Sequence, residues 1–194
     1  MTLIEITEKN FPQSIKKASN LLVVGGVVVA RADTSYALLL LPRFLKNHRI
    51  LNRIKDNRRN KQYALFIDSK ETLLKKVPEA YRKLVGKLVP GKVTIVAKQN
   101  ESGLRYIESA TVNSLIKAVK SPLTATSANP SGKEPARDRA TIEKYFAESQ
   151  VMVLYEGDVR KQSSSTIVDV SGEKIKILRQ GSVRVTKKLL KASL

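Results

Sequence analysis

The stretch TSANPSGKEPAR, residues 126–137, spaces neutral hydrogen-bonding side chains two apart and then adds charge. Ser127, Asn129 and Ser131 alternate through it, Pro130 and Pro135 stiffen it, and Lys133 and Arg137 follow as cations. A strand end that delivers hydroxyls, an amide and backbone N–H groups can hold phosphate or ribose oxygens without the flexibility of a long cationic chain. It is not a Walker A loop, because G-x-x-x-x-G-K is absent. The same letters also suit a plain Asn-Pro turn with no ligand.

Three further stretches carry reactive or polar types. RADTSY, residues 31–36, puts Asp33, Thr34 and Ser35 just after an apolar run, where the carboxyl end of a strand meets ligands in α/β sheets. An Asx or Ser/Thr turn explains those residues equally. Residues 55–61, KDNRRNK, hold Lys55, Arg58, Arg59 and Lys61, four cations in seven residues. They read either as charge-assisted donors to a triphosphate or RNA backbone, or as a solvated loop. Residues 163–169, SSSTIVD, and RQG at 179–181 give a second hydroxyl row and a downstream arginine, which the outer face of a strand pair also accounts for. His48 sits among apolar positions and reads as structural.

Elements must place these groups. Residues 11–20 have a helical pattern with Ile15 and Ala18 on one face, and the apolar run 21–30 suits a strand covered on both sides. After a polar break, 37–41 resumes the run. Residues 43–55 repeat apolar types at helical spacing. Residues 56–62 read as a loop, 63–67 as a strand, and Asp68–Ser69 as a cap for helices over 70–88 that break at Pro78. A strand follows at 92–98, a loop at 99–110, a helix at 112–119 and a strand at 123–126. A helix near 140–147 precedes strands near 151–155, 165–170 and 174–179, with a short basic helix over 183–191. Interleaved strands and helices predict an α/β or α+β class with a mixed sheet in a single domain spanning 1–194.

Composition narrows the chemistry. The 194 residues are 42% hydrophobic but only 5% aromatic, with no Trp, so the core is aliphatic. No Cys and one His exclude disulfides, thiolate metal sites and a thiol nucleophile, and leave no material for a His-rich zinc site. Lys and Arg number 36 against 17 acids, a formal charge of +19 that predicts salt-sensitive attraction to polyanions such as RNA. The first residues, MTLIEITEKNF, carry acids early and lack the apolar core of a signal peptide. No apolar run approaches the length of a membrane span, and the expectation is a cytoplasmic protein.

In this order the motifs resemble the YrdC-like family of threonylcarbamoyl-AMP synthases over residues 12–183. The family's GG and PTDTVYGL correspond to Gly25-Gly26 and RADTSYAL (31–38), and IKGRPKDKPL to IKDNRRNKQY (54–63). PGPLT corresponds to PGKVT (90–94), TSANxSG to TSANPSG (126–132), STVVD to STIVD (165–169) and RPG to RQG (179–181). The resemblance implies a YrdC/RibB-like twisted mixed parallel and antiparallel sheet with helices on its faces, around a cationic cavity. It implies synthesis of threonylcarbamoyl-AMP and pyrophosphate from ATP, L-threonine and bicarbonate, with Mg2+, for t6A modification of tRNA. It also implies contact with tRNA or double-stranded RNA and with other t6A-pathway proteins.

Carried over by position, Thr34, Arg105 and Ser165 would bind threonine. Lys55, Arg58, Lys61, Ser127, Asn129 and Arg179 would bind ATP, with Lys55, Arg58, Ser127 and Asn129 forming the catalytic set. The departures lie mostly at the substrate end: Arg31-Ala32 stands for Pro-Thr, Ala37 for Gly and Asn57 for the second cation of Lys-x-Arg. The alternative is a diverged paralogue that binds RNA or nucleotide without synthase activity.

Overall fold

The computed structural model describes residues 1–46, 48–55, 63–99 and 101–186. Among the described residues ten strands form one mixed sheet: β1 (Thr2–Glu5), β2 (Val27–Arg31), β3 (Tyr36–Leu40), β4 (Ala64–Phe66), β5 (Val93–Val96), β6 (Leu104–Arg105), β7 (Leu123–Ser127), β8 (Val151–Tyr155), β9 (Thr166–Asp169) and β10 (Lys176–Arg179). Their order is β1-β8-β2-β3-β7-β4-β6-β5-β9-β10. The β1–β8, β8–β2, β4–β6 and β5–β9 pairs are parallel, and the other neighbours are antiparallel. The mixed sheet expected from the sequence is therefore present.

Both faces of the centre are apolar, for the reason the period of two requires. Val28 and Ala30 of β2, with Ala37 and Leu39 of β3, join Ile15, Ala18 and Leu22 of α1 (Phe11–Val23) and Val112, Leu115 and Ile116 of α5 (Ala110–Val119). Val27, Val29, Tyr36, Leu38 and Leu40 point the other way. They meet Leu51 and Ile54 of α2 (Arg49–Ile54) and Ile142 and Phe146 of α6 (Arg139–Phe146). A third cluster packs α3 (Lys70–Lys76) and α4 (Glu79–Leu88) against β5 and Val168. Ser69 caps α3, accepting from the Thr72 amide, as its sequence position suggests.

Several boundaries depart from expectation. The run 21–30 is not one strand: Leu21–Val23 completes α1, Gly25 turns with φ +88°, and β2 begins at Val27. Leu21, Leu22 and Val23 are apolar whichever element they join, so composition alone leaves that boundary unmarked. Residues 43–55 split into a 3-10 turn at Pro42–Phe44 and the short α2. His48 is not on a helix face. It caps α2, its Nδ1 accepting from the Leu51 amide at 3.2 Å while Nε2 lies 2.7 Å from the Gly25 carbonyl. Edge strand β1 was not anticipated, nor was two-residue β6 inside the expected loop 99–110. Residues 183–186 are not helical, and the rest of the expected tail helix lies outside the described residues.

Candidate active site

The carboxyl ends of β2 and β7 and the start of β3 lie together, because β3 runs antiparallel to both and pairs Tyr36 with Arg31 and Ala37 with Ser127. Two connections leave that edge. The turn after β2 is closed by the Ala32 amide donating to the Ser35 carbonyl (3.0 Å), and it lays Thr34 and Ser35 on a cavity wall. The loop after β7 is stitched to β3: Ala128 N–H donates to Tyr36 O (2.9 Å), Ala136 N–H to Ala128 O (2.8 Å) and Tyr36 N–H to Ala136 O (3.0 Å).

Inside that loop Asn129 makes all four of its side-chain hydrogen bonds. Its Oδ1 accepts from Ser127 Oγ (2.5 Å) and Lys55 Nζ (3.0 Å), and its Nδ2 donates to the Pro130 and Lys133 carbonyls (2.8 and 2.6 Å). Lys55 is 1% exposed. Its ammonium also donates to the Ser127 and Asn129 carbonyls, each at 2.7 Å, while Ser131 Oγ donates to the Lys55 carbonyl (2.9 Å). Gly132, at φ +79°, supplies the left-handed turn that lets the loop double back. Of the alternating polar residues, Ser127 and Asn129 thus bind each other, and Ser131 binds the Lys55 backbone. Lys55, expected to meet phosphate, directs its ammonium to three oxygens of this loop and is not among the cavity's described lining residues.

The cavity encloses about 320 Å³. Among the described residues, Thr34, Ser127, Ser165, Arg105, Arg137 and Arg179 contribute to its lining, and no carboxylate does. Arg105 comes from β6 and is 7% exposed. One of its amino groups donates to Asp33 Oδ1 at 2.5 Å, its guanidinium lies 5.7 Å from the Phe66 ring centre, and its buried Nε has no partner among the described residues. Burial pulls the Arg105 pKa below its ordinary value; Asp33 opposes that shift and the positive charge of Arg179 adds to it. Arg179, on β10, donates through Nε and Nη2 to the Ser165 carbonyl at 3.0 and 2.9 Å, and burial lowers its pKa too. Ser165 Oγ lies 3.0 Å from Thr94 Oγ1. Arg179, whose bonds go to Ser165 oxygens rather than to an acid among the described residues, carries partly desolvated positive charge that an anionic ligand would stabilise.

Five of the residues singled out in the sequence (Thr34, Arg105, Ser127, Ser165 and Arg179) therefore surround one space. Lys55 and Asn129 are not among its described lining residues and build its loop, and Arg58 and Lys61 lie outside the described residues. The sequence reading passed over Thr94 and Gln162. Thr94 stands in the PGKVT motif, which was quoted but not resolved to a residue; Gln162 carries no local signal.

The family model Sua5_yciO_yrdC, described as telomere recombination, matches residues 20–181. The chain belongs to this Sua5/YciO/YrdC family. Over 197 aligned residues it is 25% identical to a Methanocaldococcus jannaschii protein named threonylcarbamoyl-AMP synthase, covering 95% of this chain and 94% of that protein. Pyrococcus abyssi Sua5, as its H234A/Y235A variant, superposes with a TM-score of 0.85 at 22% identity, covering 98% of this chain. The chain spans 60% of the length of that protein. A structure of P. abyssi Sua5 complexed with L-threonine gives 0.81 at 21% identity, covering 93% of this chain and 58% of that one. Escherichia coli YciO gives 0.77 at 19% identity over 93% of this chain and 94% of that one. At these identities the structural likenesses establish the family fold, a mixed sheet with helices on its faces. Among the described residues no helix is long and apolar enough to cross a membrane.

Proposed function

We propose that this chain is a threonylcarbamoyl-AMP synthase, converting L-threonine, bicarbonate and ATP into threonylcarbamoyl-AMP, pyrophosphate and water for t6A modification of tRNA. The observation that carries the reading is the cavity at the ends of β2 and β7, ringed by three arginines and by serine and threonine hydroxyls with no carboxylate in its described lining. Such a wall suits a polyanion beside a small hydroxylated zwitterion. The M. jannaschii relative's name and the threonine complex of P. abyssi Sua5 support the same reading.

In this reading Arg105 takes the threonine carboxylate, with Thr34 and Ser165 around the amino acid, while Ser127 and Arg179 face the nucleotide. Lys55 and Asn129 act by holding the loop that carries Ser127. Arg58 and Lys61 remain expected phosphate ligands. The threonine amine combines with bicarbonate to give a carbamate and water. A carbamate oxygen then attacks the α-phosphorus and pyrophosphate leaves. Catalysis is positioning together with neutralisation of charge on the phosphoryl oxygens. The described lining offers Mg2+ neither a carboxylate nor an imidazole, so these residues do not make a cation site and no step is assigned to the ion. RNA, as tRNA or a double-stranded segment, fits the +19 charge as a partner.

The test is pyrophosphate release from ATP and bicarbonate with and without L-threonine. Threonine-dependent release is expected, and Arg105→Lys is expected to raise the threonine requirement about 10-fold or more, because a point charge replaces the two-pronged donor. Absence of threonine-dependent release with the unaltered protein removes the synthase reading.

A further inference from the structure

The turn after β2 has a cavity on each side. Thr34 lines the ligand cavity, while Asp33 lines a second space of about 600 Å³ together with Arg31, Lys92, Glu108 and Glu156. Ala32 and Gln162 line both spaces and so form their shared wall. A turn between two cavities has little packing to fix it, so hydrogen bonds must set its position. Its ends are tied: Ser109 Oγ donates to the Arg31 carbonyl at 3.2 Å, and the Tyr36 amide donates to the Ala136 carbonyl at 3.0 Å.

The place of Asp33 within that turn matters for Arg105. The Arg105 side chain is 9% exposed. Among the described residues its guanidinium makes one hydrogen bond, from Nη2 to Asp33 Oδ1. The direction of the fork therefore follows the Asp33 carboxylate. Asp33 is in turn held by a side chain far along the sequence. Gln162 belongs to the irregular segment between β8 and β9. Its Nε2 donates to the Asp33 carbonyl at 2.5 Å, and its Oε1 accepts from Lys92 Nζ. Lys92 stands just before β5, where its carbonyl accepts from the Thr166 amide of β9 at 2.9 Å. A chain of bonds thus runs from the paired β5 and β9 through Lys92 and Gln162 to Asp33 and Arg105. The group in the middle must accept from an ammonium at one end and donate to a carbonyl at the other, which a neutral amide does. A carboxylate or a second cation there would fail at one end.

We propose that Gln162, oriented by Lys92, is a positioning residue that sets the Asp33 turn and through it the aim of the Arg105 guanidinium; this rests on reading Arg105 as the partner of the threonine carboxylate. The test is calorimetric titration of the full chain with L-threonine and with ATP, together with thermal melting and the kinetics of pyrophosphate release. Gln162→Leu is expected to weaken threonine binding roughly 10-fold and to leave ATP affinity unchanged. It should raise the threonine KM far more than it lowers kcat, because the interaction lost is made in the bound and the reacting state alike. Gln162→Glu keeps the length and the Lys92 contact but sets an acceptor against the Asp33 carbonyl, and is expected to lose threonine affinity as Gln162→Leu does. Lys92→Met releases the other end of the amide and is expected to lose several-fold. Combined with Gln162→Leu it should add nothing further, since both act through one chain.

Undiminished threonine affinity in Gln162→Leu overturns the proposal. So does an equal fall in ATP affinity with a lowered melting temperature, which marks a merely structural role. If Gln162→Leu does not fold, Gln162→Glu decides, and unchanged threonine affinity there overturns it. Losses that add in the double variant overturn the part given to Lys92. An unaltered protein that binds threonine, loses that binding in Gln162→Leu, yet releases no pyrophosphate keeps the positioning chain and removes the synthase. One that binds no threonine removes both.

Discussion

Lys55 shows why residue type and spacing do not settle direction. A lysine in a cationic run invites assignment to a phosphate, yet three loop oxygens at 2.7–3.0 Å hold its ammonium. Replacing it with methionine keeps the apolar stem and strands those oxygens away from water. Lys55→Met is expected to cost about 3 kcal/mol in urea unfolding, with nucleotide binding falling through displacement of Ser127. Stability equal to the unaltered protein would show that the loop stands without its ammonium pin. At this scale the sequence made legible which residues gather around the cavity, because the order of Thr34, Arg105, Ser127, Ser165 and Arg179 follows a recognisable series of motifs. It hid which side chains are consumed within the scaffold. The saturation of Asn129 depends on carbonyls at Pro130 and Lys133 and on an ammonium 74 residues away.

Elements explain how the cavity wall is held. Gly181, just beyond β10, lies so close to the end of the Ser163–Ser165 segment that a Cβ there would sit 2.1 Å from the Ser164 carbonyl oxygen and 2.6 Å from the Ser165 carbonyl carbon. Both obstacles are backbone and cannot rotate away. Gly181→Ala is therefore expected to push β10 from the start of β9 and destabilise the fold by about 2 kcal/mol. Because Arg179 grips the Ser165 carbonyl across that same approach, ATP and threonine affinities should fall together; titration of both ligands checks this. The glycine of RQG was visible in the sequence, but its reason was not, since that reason is a contact between segments rather than a turn. Strands with apolar types on both faces, such as β2 and β3, were legible. Two-residue β6 was not, because Leu104–Arg105 is too short to display a period.

For the whole molecule the governing quantity is charge. A surplus of +19 over 194 residues predicts that binding to double-stranded RNA falls steeply and linearly on logarithmic axes as salt rises from about 50 to 200 mM. Affinity that stays flat over this range in a filter-binding or anisotropy titration would remove a phosphate-driven interaction. The class of fold was readable from interleaved strand and helix patterns, but strand order was not, since it depends on pairings between distant segments such as Thr2 with Met152. That pairing bears on how the protein is made. During synthesis β1 emerges first and has no place in the sheet until β8 appears, while β2 keeps one side open for the same partner. A nascent chain stalled before Val151 would present a bare rim whose residues are apolar above and below, the form of intermediate that associates with copies of itself. Slow translation between residues 41 and 150 is therefore the condition under which this protein would most depend on a chaperone.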